Sequence, residues 1–214
     1  MADNGRQVHL VDDDEAIRRS ASFMLRTSGY LVKTYSSGVE FLGMAKEAVP
    51  GCVLLDVRMP EIDGLEVQAA LKERGVLLPV VVMTGHGDIN TAVEAMKLGA
   101  VDFIEKPFEK AVLLSAIEAG LERLDKSAKR HARADEARVK LDVLTPRELD
   151  VMKGLVRGHP NKTIAYDLDI SPRTVEIHRA NLMTKLGVHS LSEALRIAFA
   201  AGLGGEENEG DAGA

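Results

Sequence analysis

Four groups of side chains, distant along the chain, could share one chemistry. Asp12, Asp13 and Asp14 follow the apolar run VHLV (8–11), and Asp56 follows CVLL (52–55). Thr84 closes PVVVMT (79–84), and Lys106 with Pro107 comes just after VDFI (101–104). Each alone has an ordinary explanation: acids are favoured at a helix N-terminus, a threonine can simply end a strand, and a lysine can be a solvated charge. Brought together, the carboxylates repel, and one ammonium offsets only one of them. A divalent cation resolves that conflict. Magnesium prefers oxygen ligands, accepts one or two carboxylates and keeps waters that a phosphoryl oxygen can replace. Asp56 could then attack a phosphoryl group as a nucleophile, with the metal, the Thr84 hydroxyl and the Lys106 ammonium on the phosphoryl oxygens. His86 is a further candidate ligand, but no second His or Cys lies near it.

That chemistry needs a scaffold that gathers strand ends. The apolar runs at 8–11, 30–35, 52–55, 79–84 and 101–104 read as strands, and 14–28, 37–48, 64–74, 88–98 and 108–124 read as helices between and after them. Gly29, Gly75 and Gly99 stand where helix C-caps belong. Strands alternating with helices predict an α/β fold, a doubly wound parallel sheet covered on both faces. Ligands of such sheets bind beyond the carboxyl ends of the strands, where all four groups fall.

The pattern changes past residue 108. Leu113, Leu114, Ile117, Leu121 and Leu124 form a helical stripe, and the Ala-rich, charged stretch DKSAKRHARADEARVK has neither Gly nor Pro. A helical joint is expected there, with a flexible polar linker as the alternative. Beyond it only helices are expected, at 146–157, 161–168, 172–186 and 190–201, with Thr145, Pro146 and Glu148 as a capped start. Asp169-Ile170-Ser171-Pro172 supplies a turn between two of them. In 172–186, Val175, Leu182 and Leu186 share one face, while Arg173, Glu176, Ile177, Ala180 and Thr184 lie opposite. A helix held by its back and presenting its front suits a DNA major groove. It equally suits a protein-docking module. The final stretch, 203–214, is Gly-rich and acidic and is expected to be disordered.

Composition sets the outer bounds. The 214 residues carry a net charge of −6 and 28% charged side chains, which fits a soluble protein. Lys and Arg number 13 against 19 acids in residues 1–124, but 14 against 10 in 125–204. Such a split fits a half that takes a cation and a half that takes a polyanion. No apolar run approaches about 18 residues, no secretory leader is evident, and the single cysteine, Cys52, sits inside an apolar run. A cytoplasmic location is expected, with no membrane partner.

The motifs VDDDE, LLDVRMP, MTGHGD and DFIEKPF make residues 7–122 resemble the receiver domain of two-component response regulators. LTPRELDVMKGLVRG, NKTIAYDLDISPRTVEIHRANLMTKLGV and LSEALRIA make 142–202 similar to the four-helix LuxR-type helix-turn-helix domain. With 123–141 as a helical linker, the chain resembles the NarL/FixJ class, nearest to FixJ-type transcriptional regulators. The resemblance implies a five-stranded, flavodoxin-like sheet of order 2-1-3-4-5 and then an all-α domain. It implies Asp56 as phosphoacceptor and Thr84 and Lys106 on the phosphoryl group. Mg2+ (or Mn2+) would be held by Asp12, Asp13, Asp56 and the backbone carbonyl of Arg58, with Asp12 acting through water. Thr84 and Phe103 would form the switch, and Lys106–Pro107 would be cis.

In the second domain the resemblance puts Arg173, Arg179 and Lys185 on DNA phosphates and Thr174, Glu176 and Ile177 at base edges. His178 either packs inward or faces DNA. The implied partners are a sensor histidine kinase, double-stranded operator DNA, RNA polymerase for an activator, and a second copy of the chain joined through residues 88–105 on phosphorylation. The chain is then not an enzyme, beyond accepting a phosphoryl group and hydrolysing it. Three rival readings remain. A phosphatase using Asp56 would commonly need a second Asp at position 58, where Arg58 stands. The other two are a phosphate-independent DNA binder and a receiver with a purely protein-docking partner domain.

Overall fold

The computed structural model of the chain describes residues 6–85 and 89–204. His86, Asp88 and the segment 205–214 of the expected tail lie outside the described residues. The chain divides into two compact units, Met1–Ser127 and Ala128–Ala214.

The first unit contains β1 (Gln7–Val11), α1 (Glu15–Arg26), β2 (Leu31–Tyr35), α2 (Gly38–Met44), β3 (Cys52–Asp56), α3 (Gly64–Glu73), β4 (Val80–Thr84), α4 (Ile89–Leu98) and β5 (Asp102–Glu105). The strands form one parallel sheet in the order β2-β1-β3-β4-β5. β3 and β4 are buried at every residue, which is why they are continuous apolar runs rather than alternating ones. Their side chains still alternate between faces. Val53, Leu55 and Val82 join Phe41, Val67 and Leu71 on one side. Cys52, Leu54, Val81 and Met83 join Leu25, Leu113 and Ile117 on the other.

Local chemistry sets the element ends. Asp14 is the N-cap of α1, accepting from the amides of Ala16 and Ile17. Gly29, Gly75 and Gly99 adopt φ of +90, +68 and +100° after their helices, the left-handed conformation of a C-cap. The helix expected over 37–48 is shorter: α2 ends at Met44 and a single 3-10 turn, Ala45–Glu47, follows. The backbone departs from α-helical geometry at Met44 (φ −112°, ψ −4°) and is extended by Ala48 (φ −66°, ψ 136°). α5 runs unbroken from Lys110 to Leu141, 32 residues.

The second unit takes the end of α5 and adds α6 (Pro146–Val156), α7 (Asn161–Asp167), α8 (Pro172–Leu186) and α9 (Leu191–Ala200). Val151, Met152, Ile164, Val175, Leu182, Ala194 and Ala198 make its core. Leu203, expected in the tail, packs partly buried on that core, and its amide donates to the Ala198 carbonyl at 3.0 Å. Asp169, in the turn before α8, takes φ +52°, a conformation Asp tolerates better than most residues. Ser171 caps α8, and Gly187 ends it at φ +65°.

One buried acid ties two of these helices together. Glu148, 3% exposed, completes the capping box with Thr145 and accepts from Lys185 Nζ on α8 at 2.7 Å. Burial pushes its carboxyl up, but Lys185 and the Thr145 amide and hydroxyl bring it below the usual carboxylate range. A carboxylate with a depressed folded-state pKa stabilises above its unfolded value, about 4.3, and loses that contribution as pH falls through the lower folded value. The stability gap between wild type and Glu148→Gln should therefore be constant near neutral pH and shrink below about pH 4. Hydrogen exchange at α6 and α8 amides across pH measures it, and a gap that persists in acid refutes the assignment.

Gly64 offers a second test. A Cβ there would stand 2.2 Å from the Asp56 carbonyl oxygen and 2.9 Å from Val57 Cα, both backbone atoms that cannot turn aside. Gly64→Ala should destabilise the first unit by about 1–3 kcal/mol. At Gly43, within α2, an added Cβ meets nothing within 4 Å, so Gly43→Ala should stabilise by roughly 0.5 kcal/mol. Urea midpoints of the two variants should move in opposite directions.

Candidate functional site

The parallel register brings the expected groups to one edge. Asp12 follows β1, Asp56 ends β3, Thr84 ends β4 and Lys106 follows β5. Backbone bonds lock these ends: the Val57 amide donates to the Met83 carbonyl at 3.0 Å, and the Lys106 amide to that of Thr84 at 2.8 Å. Lys106 Nζ sits between two carboxylates, 2.7 Å from Asp12 Oδ2 and 2.8 Å from Asp56 Oδ1. Asp12 is fully buried, Asp56 is 6% exposed and Asp13 is exposed. Asp12 Oδ1 also accepts from the Asp14 amide at 2.8 Å. The Lys106–Pro107 bond is cis.

The electrostatics are frustrated in a useful way. Burial pushes the Asp56 carboxyl up, Lys106 pulls it down, and Asp12 and Asp13 push it up again; the net direction is up. Burial also lowers Lys106, but its bonds to Asp12 and Asp56 more than compensate and hold it above its ordinary value. Three carboxylates with one ammonium leave two negative charges. One oxygen from each of Asp12, Asp13 and Asp56 lies within 4.8 Å of the others. Two oxygens bound to one Mg2+ stand at most about 4.2 Å apart, twice a bond of about 2.1 Å. The donor set, its close spacing and its net charge therefore fit a divalent cation.

Thr84 is buried, and its hydroxyl donates to the Gly85 carbonyl at 3.3 Å. Phe103, on β5, is 45% exposed. Arg58 is exposed in the loop after β3. Two contributors were not foreseen: Arg18, whose Nη1 donates to the Asp12 carbonyl at 2.7 Å, and Gly64, whose missing side chain lets α3 approach Asp56. Arg18 lies six residues beyond Asp12 on α1, a spacing without a recognisable motif; Gly64 looks like an ordinary helix start.

In the second unit, α8 buries Val175 and Leu182 and exposes Arg173, Glu176, Ile177, Ala180 and Thr184. Thr174 and His178 are half-buried. The three cations expected on phosphates are engaged within the unit. Arg173 pairs with Glu176 at 3.0 Å, Arg179 donates to Asn161 Oδ1 of α7 at 2.7 Å, and Lys185 is held by Glu148.

The two units correspond to two known families. Residues 8–118 match the family described as response regulator receiver domain, and residues 142–198 match bacterial regulatory proteins of the luxR family. The chain is 48% identical over 197 residues to the transcriptional regulatory protein FixJ of Rhizobium meliloti (strain 1021), covering 92% of this chain and 97% of that one. It is 41% identical to the response regulator protein TodT of Pseudomonas putida, over 92% of this chain and 87% of that protein. Among solved structures, full-length FixJ from B. japonicum is 45% identical with a TM-score of 0.59, over 92% of this chain and 98% of that one. The response regulator StyR is 38% identical with a TM-score of 0.72, over 91% and 98%. No helix among the described residues is long and apolar enough to cross a membrane. With a receiver fold whose strand ends gather acids around a lysine, and a helical unit of the luxR family beside it, the chain belongs to the FixJ-type response regulators of the NarL/FixJ class, two-component proteins that regulate transcription when phosphorylated.

Proposed function

We propose that Asp56 is the phosphoacceptor, and that its phosphorylation by a partner histidine kinase drives dimerisation and operator binding by the second unit. The observation that carries this reading is the placement of Lys106 Nζ against both Asp56 and Asp12. A carboxylate oxygen of Asp56 attacks phosphorus, and the bond from phosphorus to the donor's histidine nitrogen breaks. That nitrogen leaves with the electron pair and takes a proton. Lys106 then faces the phosphoryl oxygens, and the Thr84 hydroxyl turns from Gly85 to donate to one of them. Asp12, Asp13, Asp56 and the Arg58 carbonyl would hold Mg2+ (or Mn2+), which neutralises the developing charge. Slow hydrolysis of the acyl phosphate resets the site.

As Thr84 moves, the Phe103 ring turns into the space it leaves, a rearrangement of packing alone because Phe has no hydroxyl. The face of α4 and β5, within residues 88–105, then becomes the dimer surface. Ile89, Val93, Met96 and Phe103 are exposed along it, more apolar surface than a face with no partner calls for. Two copies set two α8 helices roughly 34–36 Å apart, one turn of DNA. Arg173 meets phosphate, and Thr174, Glu176 and Ile177 face base edges, where Glu176 can accept from a cytosine amino group and Ile177 can touch a thymine methyl. Arg179 and Lys185, tied to Asn161 and Glu148, hold the helix at its angle. The working boundaries are a receiver at 7–122, a helical linker at 123–141 and the DNA-binding domain at 142–202, acting in the cytoplasm as an activator that engages RNA polymerase.

Asp56→Asn should abolish labelling by acetyl phosphate and leave the protein the same size by light scattering with and without donor and Mg2+. Wild type should shift from monomer to dimer; stoichiometric labelling of the variant would refute the site. Asp13→Asn should keep Asp56 competent but raise the Mg2+ concentration for half-maximal labelling by about 10-fold or more. An unchanged Mg2+ requirement would remove Asp13 from the metal set.

A further inference from the structure

Six exposed charges on α5 neutralise one another along the helix. Lys126 pairs with Glu122 at 3.2 Å, Arg138 with Asp135 at 3.3 Å and Lys140 with Glu136 at 2.7 Å. Between these pairs lies a block that does not. Lys129, Arg130 and Arg133 are all exposed, no acid occurs from residue 126 to residue 134, and none of the three has an ion pair among the described residues. At about 3.6 residues per turn they fall within about 100° of one another, on one face. Lys129/Arg133 and Arg130/Arg133 are like charges at helix-neighbour spacings, which destabilise a helix in isolation. A surface arranged this way gains from a polyanion.

The same unit shows why it would be needed. Of the three cations on α8, Lys185 is cancelled by Glu148, and Arg173 is matched by Glu176. Arg179 alone of the three has no acid partner, and Arg173 must leave its exposed pair with Glu176 to meet phosphate, while affinity for a duplex comes mainly from cations that displace counterions. Arg133 also lines a groove of about 380 Å3 that holds Lys140 and Arg196 but also the acids Glu136 and Glu193, with Val188 at its edge. Val188 lies two residues beyond the end of α8, so the groove, with Arg133 and Arg196 on it, reaches the C-terminal end of that helix.

We propose that Lys129, Arg130 and Arg133, together with Arg196, form a second DNA-contacting surface that grips the phosphate backbone of the duplex outside the helix-turn-helix. This rests on the reading of α6–α9 as a duplex-binding unit and adds the source of its electrostatic affinity. The surface reads no sequence; it fixes register and holds the duplex while α8 tests bases.

The test uses the full chain, phosphorylated and unphosphorylated, and a fluorescent mixed-sequence duplex of about 40 base pairs titrated between about 50 and 200 mM salt. The triple variant Lys129→Gln, Arg130→Gln, Arg133→Gln keeps good helix formers at exposed positions, and its circular dichroism should match wild type. The slope of log affinity against log salt should flatten by about 2.7, or about 0.9 per cation removed. Arg173→Gln should flatten it by about 0.9 only. A triple variant with the wild-type slope, beside an Arg173→Gln protein with a reduced one, overturns the second surface and leaves the DNA reading standing. A wild type with no salt-dependent binding in either form would instead sink the DNA reading itself, and this inference with it.

Discussion

One ammonium held between two carboxylates is the constraint on which the first unit turns. Lys106 Nζ lies 2.7 and 2.8 Å from Asp12 and Asp56, yet β5 stands two strands from β3 and three from β1. At about 4.8 Å per strand, those steps are roughly 10 and 15 Å across the sheet. A short side chain could not cross them. A lysine stem does so from a turn whose amide is bonded to the Thr84 carbonyl at the end of β4, at 2.8 Å. Removing the ammonium would leave two nearly buried carboxylates facing each other, a cost of several kcal/mol in the general case of a broken buried pair. The sheet order, the register and the tight approach of α3 at Gly64 all serve this one contact.

The contact is also incomplete, and the incompleteness gives it a function. Lys106 cannot cancel Asp12, Asp13 and Asp56 together; burial first, with Asp12 and Asp13 adding to it, holds the Asp56 carboxyl above its ordinary value. Such a site has two ways to improve its electrostatics: take up a cation, or replace the carboxylate partner of Lys106 with a better one. A phosphoryl group bound to Asp56 presents more oxygen acceptors to the same ammonium. In the proposed mechanism, the preference of Lys106 for the new partner is what converts a local covalent change into movement at Thr84 and Phe103. Asp12 remains behind, fixed by the Asp14 amide and by Arg18 on its carbonyl.

The parts of this that depend on local pattern were legible in the sequence. Strands that are apolar on both faces, capped helix starts at Asp14, Thr145 and Ser171, and C-cap glycines all follow from residue type and spacing. The strand-end groups were legible because a parallel sheet leaves them nowhere else to go. The contacts between side chains remote in sequence were not. Lys185 looked like a phosphate contact because it is a lysine on a DNA-reading helix, and only the packing of α6 against α8 shows its partner, Glu148, 37 residues earlier. Glu148 itself was visible as a cap but not as the buried anchor of two helices. The tightening of the last turn of 37–48 into a 3-10 turn after Met44 leaves no mark in residue type or spacing.

The pairing of Lys185 changes how the second unit should be understood. A recognition helix has two requirements that compete for the same cations: it must be held at a fixed angle, and it must attract a polyanion. Here the first claim dominates. Glu148 fixes the C-terminal end of α8 to α6, and Asn161 fixes its middle to α7 through Arg179. Each bond makes the presented face more rigid, which in the proposed DNA reading sharpens discrimination between bases. Lys185, matched by a buried carboxylate, has little charge left to offer phosphate. In the same proposed reading Glu176 goes further, since a carboxylate near a duplex penalises every sequence except one that can donate to it. A helix built this way is selective but weakly attractive. In the proposed reading attraction comes from cations that carry no structural duty, and α5 keeps Lys129, Arg130 and Arg133 together between its paired charges.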